Sequence, residues 1–168
     1  MIRAVVDDLA FVQADAVVRP STAALEPISP ALSRLDEVAG SGYWKALDRP
    51  SRLGVGAAVV TAAGDLSADF VIHAVLMSEE EPVTPSGVRS AVVSILQRAA
   101  DWELGTVAMP LLGLGPGNLL LEDAARIIVD ILATDLPRVT YPRDVCIVVD
   151  SEEDRAVVDS FIRSLASQ

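Results

Sequence analysis

The chain reads as an α/β protein built on a largely parallel sheet covered by helices on both faces. Three observations predict this. Short apolar, β-branched runs recur along the chain, about six in number, each short enough for a buried strand. Between them lie segments whose apolar residues repeat every three or four positions, the period of a helix with one buried face. Strands that alternate with helices favour parallel pairing, because each helix carries the chain back over the sheet.

The totals bound the possibilities. At 168 residues the chain suits one domain, 1–168, with length enough for a real core. Hydrophobic residues make up 51%, which excludes disorder. No window approaches ~20 apolar residues without a charge, so no membrane partner is expected. Acidic residues follow the first apolar run at once, in Met1-Ile-Arg-Ala-Val-Val-Asp-Asp, which is not a signal-peptide layout. The single cysteine, Cys146, excludes an internal disulfide and fits a reducing cytoplasm. A net charge of −11 argues against a nucleic-acid partner, since that affinity comes from clustered Lys and Arg. It leaves room for a small anionic ligand bound by backbone N–H groups. One histidine and one cysteine are too few for a His/Cys metal site, and no metal or cofactor is expected.

Taken in order, Ile2–Val6 is a β-branched strand broken by Asp7-Asp8. Ala16–Arg19 is a second short strand, closed by Pro20-Ser-Thr. Pro27–Pro30 is a loop. Ser29 is placed to cap a helix with Pro30 at its first position, Leu32, Leu35 and Val38 on one face, and Gly40 at its end. Ser41–Arg52, with Tyr43 and Trp44, reads as an irregular excursion whose aromatics form a cleft wall or a satellite core. Val55–Ala62 is a Val-rich strand, Ala63-Gly64-Asp65 a turn, and Phe70–Met77 the next strand. Ser78–Val83 is an acidic loop. Thr84 caps a helix with Pro85 first, a stripe at Val88, Ala91, Val92, Ile95 and Ala99, and a stop at Gly105. Thr106–Leu112 is a buried strand. Glu122–Ala133 is amphipathic, with Ala124, Ile127, Ile128, Ile131 and Leu132 inward, and Leu136-Pro137 ends it. Asp144–Val149 is the last strand. Ser151 and the following acids start a final helix with an apolar stripe at Val157, Val158, Phe161, Ile162 and Leu165.

The stretch after Thr106–Leu112 carries glycines at 113, 115 and 117, and a helix starts near Leu121. Strand, glycine loop and helix together present backbone N–H groups to an anion. A plain strand-to-helix turn that happens to be glycine-rich has the same sequence. Ligands of such sheets sit beyond the carboxyl ends of the strands, which puts this loop and the end of Ala16–Arg19 at the binding edge.

The order of several short motifs resembles the macro domain family over nearly the whole chain. Asp8-Leu9-Ala10-Phe11-Val12-Gln13-Ala14-Asp15-Ala16-Val17-Val18 is similar to the family's Asp-Ile-Thr followed by Val-Asp-Ala-Ile-Val. Gly56-Ala57-Ala58-Val59-Val60-Thr61, then Gly64, then Phe70-Val71-Ile72-His73 resemble its Gly-x-Ala-x-x-Thr, Gly and Tyr-Val-Ile-His. Met109-Pro110-Leu111-Leu112-Gly113-Leu114-Gly115-Pro116-Gly117-Asn118 resembles its Phe-Pro-x-x-Gly-Thr-Gly-x-Gly-Gly. The resemblance implies a three-layer α/β/α fold with a six-stranded mixed sheet and a cleft for ADP-ribose or a related nucleotide. It also implies that Asp8, with Leu9 beside it, lies at the adenine, and that the loop Gly113, Leu114, Gly115, Pro116, Gly117 and Asn118 wraps the diphosphate.

Two motifs depart from the family. Where it carries Asn-Ala-Ala-Asn, this chain has Arg19-Pro20-Ser21-Thr22. The family's second Asn contacts the distal ribose and helps catalysis in hydrolase members; Thr22 is shorter and lacks the amide. Where the family has Gly-Gly-Gly, this chain has Leu25-Glu26-Pro27-Ile28-Ser29-Pro30, whose prolines remove N–H donors and whose Glu26 repels phosphate. Pro116 removes a further donor. Arg19, at a strand end, is placed to reach a phosphate or to sit in solvent, and Thr22 to donate a hydroxyl to ligand or to make a local turn bond.

Other reactive groups read as structural. Asp15 stands at a loop-to-strand junction. His73 lies inside an apolar strand and Cys146 among valines and isoleucine, so neither is expected to do chemistry. No catalytic residue is identified. The leading expectation is a binding module for an ADP-ribose-like nucleotide without efficient hydrolase activity. A hydrolase of ADP-ribose derivatives is the first alternative. The second is a scaffold or homo-oligomer that uses the leucines at 111, 112, 114, 119, 120 and 121.

Overall fold

The computed structural model describes residues 1–47, 53–115 and 119–168, with backbone alone at 44 and 46. Among these, six strands form one sheet: β1 (Ile2–Val6), β2 (Ala16–Thr22), β3 (Ala58–Ala62), β4 (Phe70–Met77), β5 (Thr106–Pro110) and β6 (Asp144–Val149). Five helices accompany them: α1 (Pro30–Ala39), α2 (Ser41–Leu47), α3 (Pro85–Asp101), α4 (Leu121–Asp135) and α5 (Glu152–Ala166). The spatial order is β1-β6-β5-β2-β4-β3. All neighbours run parallel except β3, which is antiparallel to β4. The exception has a local cause. A short turn joins β3 to β4, closed by the Ala63 N–H on the Asp69 carbonyl at 3.1 Å, with Gly64 at φ +59°. A connection that short can only return the chain antiparallel.

The pleat sorts the core into two layers, because successive strand residues face opposite ways. Ala16, Val18, Ile72, Leu76, Val107, Met109, Val145 and Ile147 pack under α3, α4 and α5. Val17, Val71, Val75, Ala108, Cys146 and Val148 pack with Leu35 and Ala39 of α1 and Tyr43 and Leu47 of α2. The result is the expected three-layer arrangement. Among the described residues no helix is long and apolar enough to cross a membrane.

Several elements differ from expectation. β2 continues through Pro20 to Thr22. It pairs with β5 only at Ala16↔Val107 and Val17↔Ala108, so the proline's missing N–H breaks no rung on that side. Residues 41–47 form a helix rather than an irregular excursion, since burial of Tyr43 and Leu47 supplies what propensity lacks. Residues 48–52 of that excursion, and the Trp44 side chain, lie outside the described residues. β3 starts at Ala58 rather than Val55, and β5 ends at Pro110 rather than Leu112. α3 stops at Asp101, short of Gly105, with Glu103 at φ +54° making the turn.

Of the three expected serine or threonine caps, two form. The Thr84 side chain accepts the Gly87 N–H at 3.0 Å and Ser151 accepts that of Asp154 at 3.1 Å. Ser29 makes no side-chain cap, although Pro30 follows it as Pro85 follows the capping Thr84. On α5 only Val158 is fully buried; Val157, Phe161, Ile162 and Leu165 are half-buried, because α5 overlies β1, the last strand on that side of the sheet.

Candidate functional site

Arg19 is not at the binding edge. Odd-numbered residues of β2 face the α1 layer, so its side chain runs beneath α1 and is fully buried. There it meets Asp36 in a bidentate pair, Nε to Oδ1 and Nη2 to Oδ2, both at 2.7 Å. Both expectations for Arg19, a phosphate contact and a solvated charge, are therefore corrected: its charge is committed to Asp36. The network continues. Arg19 Nη1 lies 3.4 Å from His73 Nδ1, and His73 Nε2 lies 2.7 Å from Thr61 Oγ1. The Thr61 hydroxyl also donates to the Ala62 carbonyl at 3.2 Å. Arginine can only donate, so one neutral tautomer satisfies the row: Nδ1 accepts from Arg19 and Nε2–H donates to Thr61. His73 is thus a structural histidine that ties β4 to β2 and β3.

Tyr43 closes this network, its ring 5.8 Å from that of His73. Burial pushes its hydroxyl well above the ordinary value near 10; Asp36 adds to the rise and Arg19 opposes it. A group whose pKa is raised on folding stabilises the fold fully below its unfolded pKa and loses that contribution as pH rises through it. Stability should therefore fall above pH ~10 more steeply in the native chain than in Tyr43→Phe, by up to about 1.4 kcal/mol per pH unit. Denaturant unfolding of both proteins at pH 9 and pH 11 measures the difference. Equal alkaline slopes would contradict it. Burial likewise pushes the Cys146 thiol up, in keeping with an inert core cysteine.

Asp15 is structural too. Its Oδ2 accepts the N–H groups of Gly105 at 2.8 Å and Thr106 at 3.1 Å, which pins the start of β5.

The binding edge is set by topology. β1, β6 and β5 lie on one side, β2 and β4 on the other, and the chain direction of assembly reverses between β5 and β2. Their ladder ends after Val17↔Ala108, so the two strands part toward their carboxyl ends. A crevice at such a switch point is where open α/β sheets take ligands. Three sequence-identified places converge on this edge: Asp8 after β1, Thr22 at the end of β2, and the loop after β5.

Asp8 is partly exposed. Its Oδ1 accepts the Ala10 N–H at 3.0 Å and its Oδ2 pairs with Arg34 Nη1 of α1 at 2.8 Å. Leu9 is half-buried against the α1 layer. After β5, Leu111 and Leu112 are buried and Leu114 is half-buried. Gly113 has φ +92°, and a Cβ there would meet Leu119 Cδ1 at 2.5 Å. Gly115 has φ +67°, and a Cβ there would meet nothing within 4 Å. One glycine therefore serves packing, and the other leaves backbone open to whatever occupies the crevice. The Leu119 N–H returns to the Gly113 carbonyl at 3.0 Å and closes the loop. Pro116, Gly117 and Asn118 lie outside the described residues. Leu120 precedes α4 without a side-chain cap, and Glu122 and Asp123 occupy its first turn, where they already complement the helix dipole.

The 22–28 segment forms the other wall. Thr22 Oγ1 accepts the Glu26 N–H at 3.2 Å, the Thr22 carbonyl accepts the Leu25 N–H at 2.8 Å, and Leu25 sits at φ +62°. The donors of residues 25 and 26 are thus turned inward on their own loop. Leu25 is buried in the α1 layer, while Ile28 packs against the opposite layer, so the segment straddles the sheet edge with apolar side chains. A small cavity of about 190 Å³ lies between the ends of β2 and β4, lined by Thr22, Glu26, Met77, Ser78 and Glu79 among others. A larger apolar groove, about 610 Å³, opens at the opposite end of the sheet beside Leu136, Ile162 and Leu165.

Of the leucine cluster, only Leu120 is strongly exposed, at 67%; the remainder belongs wholly or partly to the core. Two charged side chains of this region were not singled out from sequence: Asp36, which pairs with Arg19, and Arg34, which pairs with Asp8. Both lie on α1, where a charged residue ordinarily faces solvent.

Comparison with known proteins places these features in context. The Macro domain family model matches residues 33–128. An uncharacterised protein of Aeropyrum pernix is 33% identical over 147 residues, 87% of this chain and 77% of its own length. An uncharacterised protein of Mycobacterium tuberculosis is 27% identical over 122 residues, 73% of this chain. This chain spans only about a third, 34%, of that relative's length. Among solved structures, a variant of the Oceanobacillus iheyensis macrodomain with ADPR superposes with a TM-score of 0.88 at 18% identity, covering 98% of this chain and 93% of its own.

Proposed function

Because the chain belongs to the macro domain family, we propose that it binds ADP-ribose or a related adenine nucleotide across the carboxyl edge of its sheet. One observation carries this reading. Asp8 and the open backbone at Gly115 follow β1 and β5, and β6 alone lies between those strands. At the usual spacing the two strand ends stand about 10 Å apart, a span that one nucleoside diphosphate bridges and one side chain does not. In this reading Asp8 accepts a hydrogen bond from the adenine amino group and Leu9 packs beside it. Residues 113–118, including Leu114, Pro116, Gly117 and Asn118, follow the diphosphate. The solved macrodomain with ADPR supports the ligand class.

The distal end of the ligand meets a different surface from the family's usual one. Thr22 stands there, with its hydroxyl held by the Glu26 N–H, and the N–H groups of residues 25 and 26 are turned into their own loop rather than toward a ligand. Binding without efficient hydrolysis follows. Residues 1–168 act as one domain in this reading, in the cytoplasm, with a small anionic molecule rather than nucleic acid as partner.

Titration calorimetry with ADP-ribose, ADP and AMP tests it. Wild type should release or absorb heat with at least ADP-ribose, and Asp8→Ala should bind about tenfold or more weakly, the usual effect of losing a charged hydrogen bond. No heat from any of the three in a folded sample would refute the reading.

A further inference from the structure

The turn at Asp8 does not stand alone. Arg34 comes down from α1 and its Nη1 forms an ion pair with Asp8 Oδ2 at 2.8 Å. The same guanidinium lies over the ring of Phe11, 5.8 Å from its centroid. Phe11 is 53% exposed, among the few large apolar side chains turned to solvent. Two chain segments far apart in sequence thus bring an acceptor, a planar donor and an aromatic face together at the binding edge.

An exposed ion pair of this kind adds little to stability, because water and salt screen it. Its side-chain exposures, 60% for Arg34 and 37% for Asp8, fit that description. Its chemistry is more specific than its energetics. The carboxylate accepts the Ala10 N–H on Oδ1 and faces Arg34 with Oδ2, which favours one direction before any ligand arrives. The guanidinium carries five N–H donors in one plane, and its ion pair with Asp8 is made from the Nη1 end. The guanidinium also lies within cation–π range of the Phe11 ring, which adds a weak attraction favouring this position. An acceptor beside a planar donor group matches the edge of a nucleobase that presents an amino group next to a ring nitrogen.

We propose that Arg34, near the Phe11 ring and paired with Asp8, is a base-reading residue: its remaining N–H groups donate to a ring nitrogen of the adenine whose amino group is accepted by Asp8. This rests on the nucleotide-binding reading above. It differs from a phosphate contact, the commoner use of an arginine, because the pairing with Asp8 holds the guanidinium at the β1 end of the edge rather than at the loop after β5.

The experiment is calorimetry on wild type, Arg34→Ala and Arg34→Lys with three probes: ADP-ribose, adenosine and inorganic pyrophosphate. Thermal unfolding is run beside it to establish that each variant is folded. Arg34→Ala is expected to weaken ADP-ribose and adenosine by the same factor, on the order of tenfold, and to leave the pyrophosphate titration unchanged. Arg34→Lys keeps the charge but not the plane, and is expected to weaken both as well. A loss confined to ADP-ribose and pyrophosphate would overturn the proposal in favour of a phosphate contact. Unchanged or tighter binding in Arg34→Ala would overturn it by showing that Arg34 only occupies Asp8. Silence from wild type toward all three would sink the nucleotide reading itself, and the proposal with it, a result distinct from any difference between wild type and variant.

Discussion

Replacing Asp36 by alanine is expected to destabilise the fold by about 3–5 kcal/mol. The carboxylate is fully buried and bound through both oxygens to a fully buried guanidinium. Removing it leaves the Arg19 charge without its partner in a place water does not reach. The charge cannot escape by losing a proton, since arginine stays protonated. Nor can it swing outward, because residue 19 lies mid-strand with Val17 and Ser21 on the same inward face. The loss should propagate, since the same guanidinium reaches His73 and through it Thr61 of β3. Replacing both partners by apolar residues, Arg19→Met with Asp36→Leu, should recover most of the lost stability, because the cost lies in the orphaned charge. Urea unfolding of the three proteins checks this. A loss below about 1 kcal/mol in Asp36→Ala would show that the pair is not buried as described.

Gly64→Ala is expected to cost about 2–4 kcal/mol, from strain at positive φ together with overpacking. The glycine turns the chain between β3 and β4 at φ +59°. A Cβ there would stand 2.2 Å from the Ala39 carbonyl oxygen and 3.1 Å from Tyr43 Cβ. The first of these is backbone at the end of α1, and the same carbonyl accepts the Asp65 N–H at 2.9 Å. Neither group can move without opening the junction of α1, α2 and the β3–β4 turn. The contrast is Gly115→Ala, where a Cβ meets open space and only the φ of +67° opposes the change. Thermal unfolding should show a clear fall in Tm for the first and a small one for the second. The reverse order would contradict the packing described for the turn.

What could be read in the sequence follows from the range of the interactions involved. β4 and β6 begin and end where the apolar runs do, because the burial of a central strand is written in every residue it contains. The α3 stripe at Val88, Ala91, Val92, Ile95 and Ala99 is buried throughout for the same reason. α2 was hidden because Ser41-Gly42-Tyr43 is a poor helix start, and only packing against β3 and α1 makes it one. The Arg19–Asp36 pair was hidden because it joins residues 17 apart on different elements, and neither charge signals burial alone. Alternation offered one hint: position 19 shares its face with Val17, which is core. At the candidate site, Asp8 and the glycine loop were legible as motifs. Arg34 was not, since its pairing with Asp8 depends on where α1 lies over the sheet.

A crystal of this protein soaked with ADP-ribose tests the central claim most directly. Density for adenine against Asp8 and Arg34, with the diphosphate along the 113–118 loop, is the predicted result. An edge that stays empty at saturating ligand, or a ligand seated elsewhere on the molecule, would contradict it.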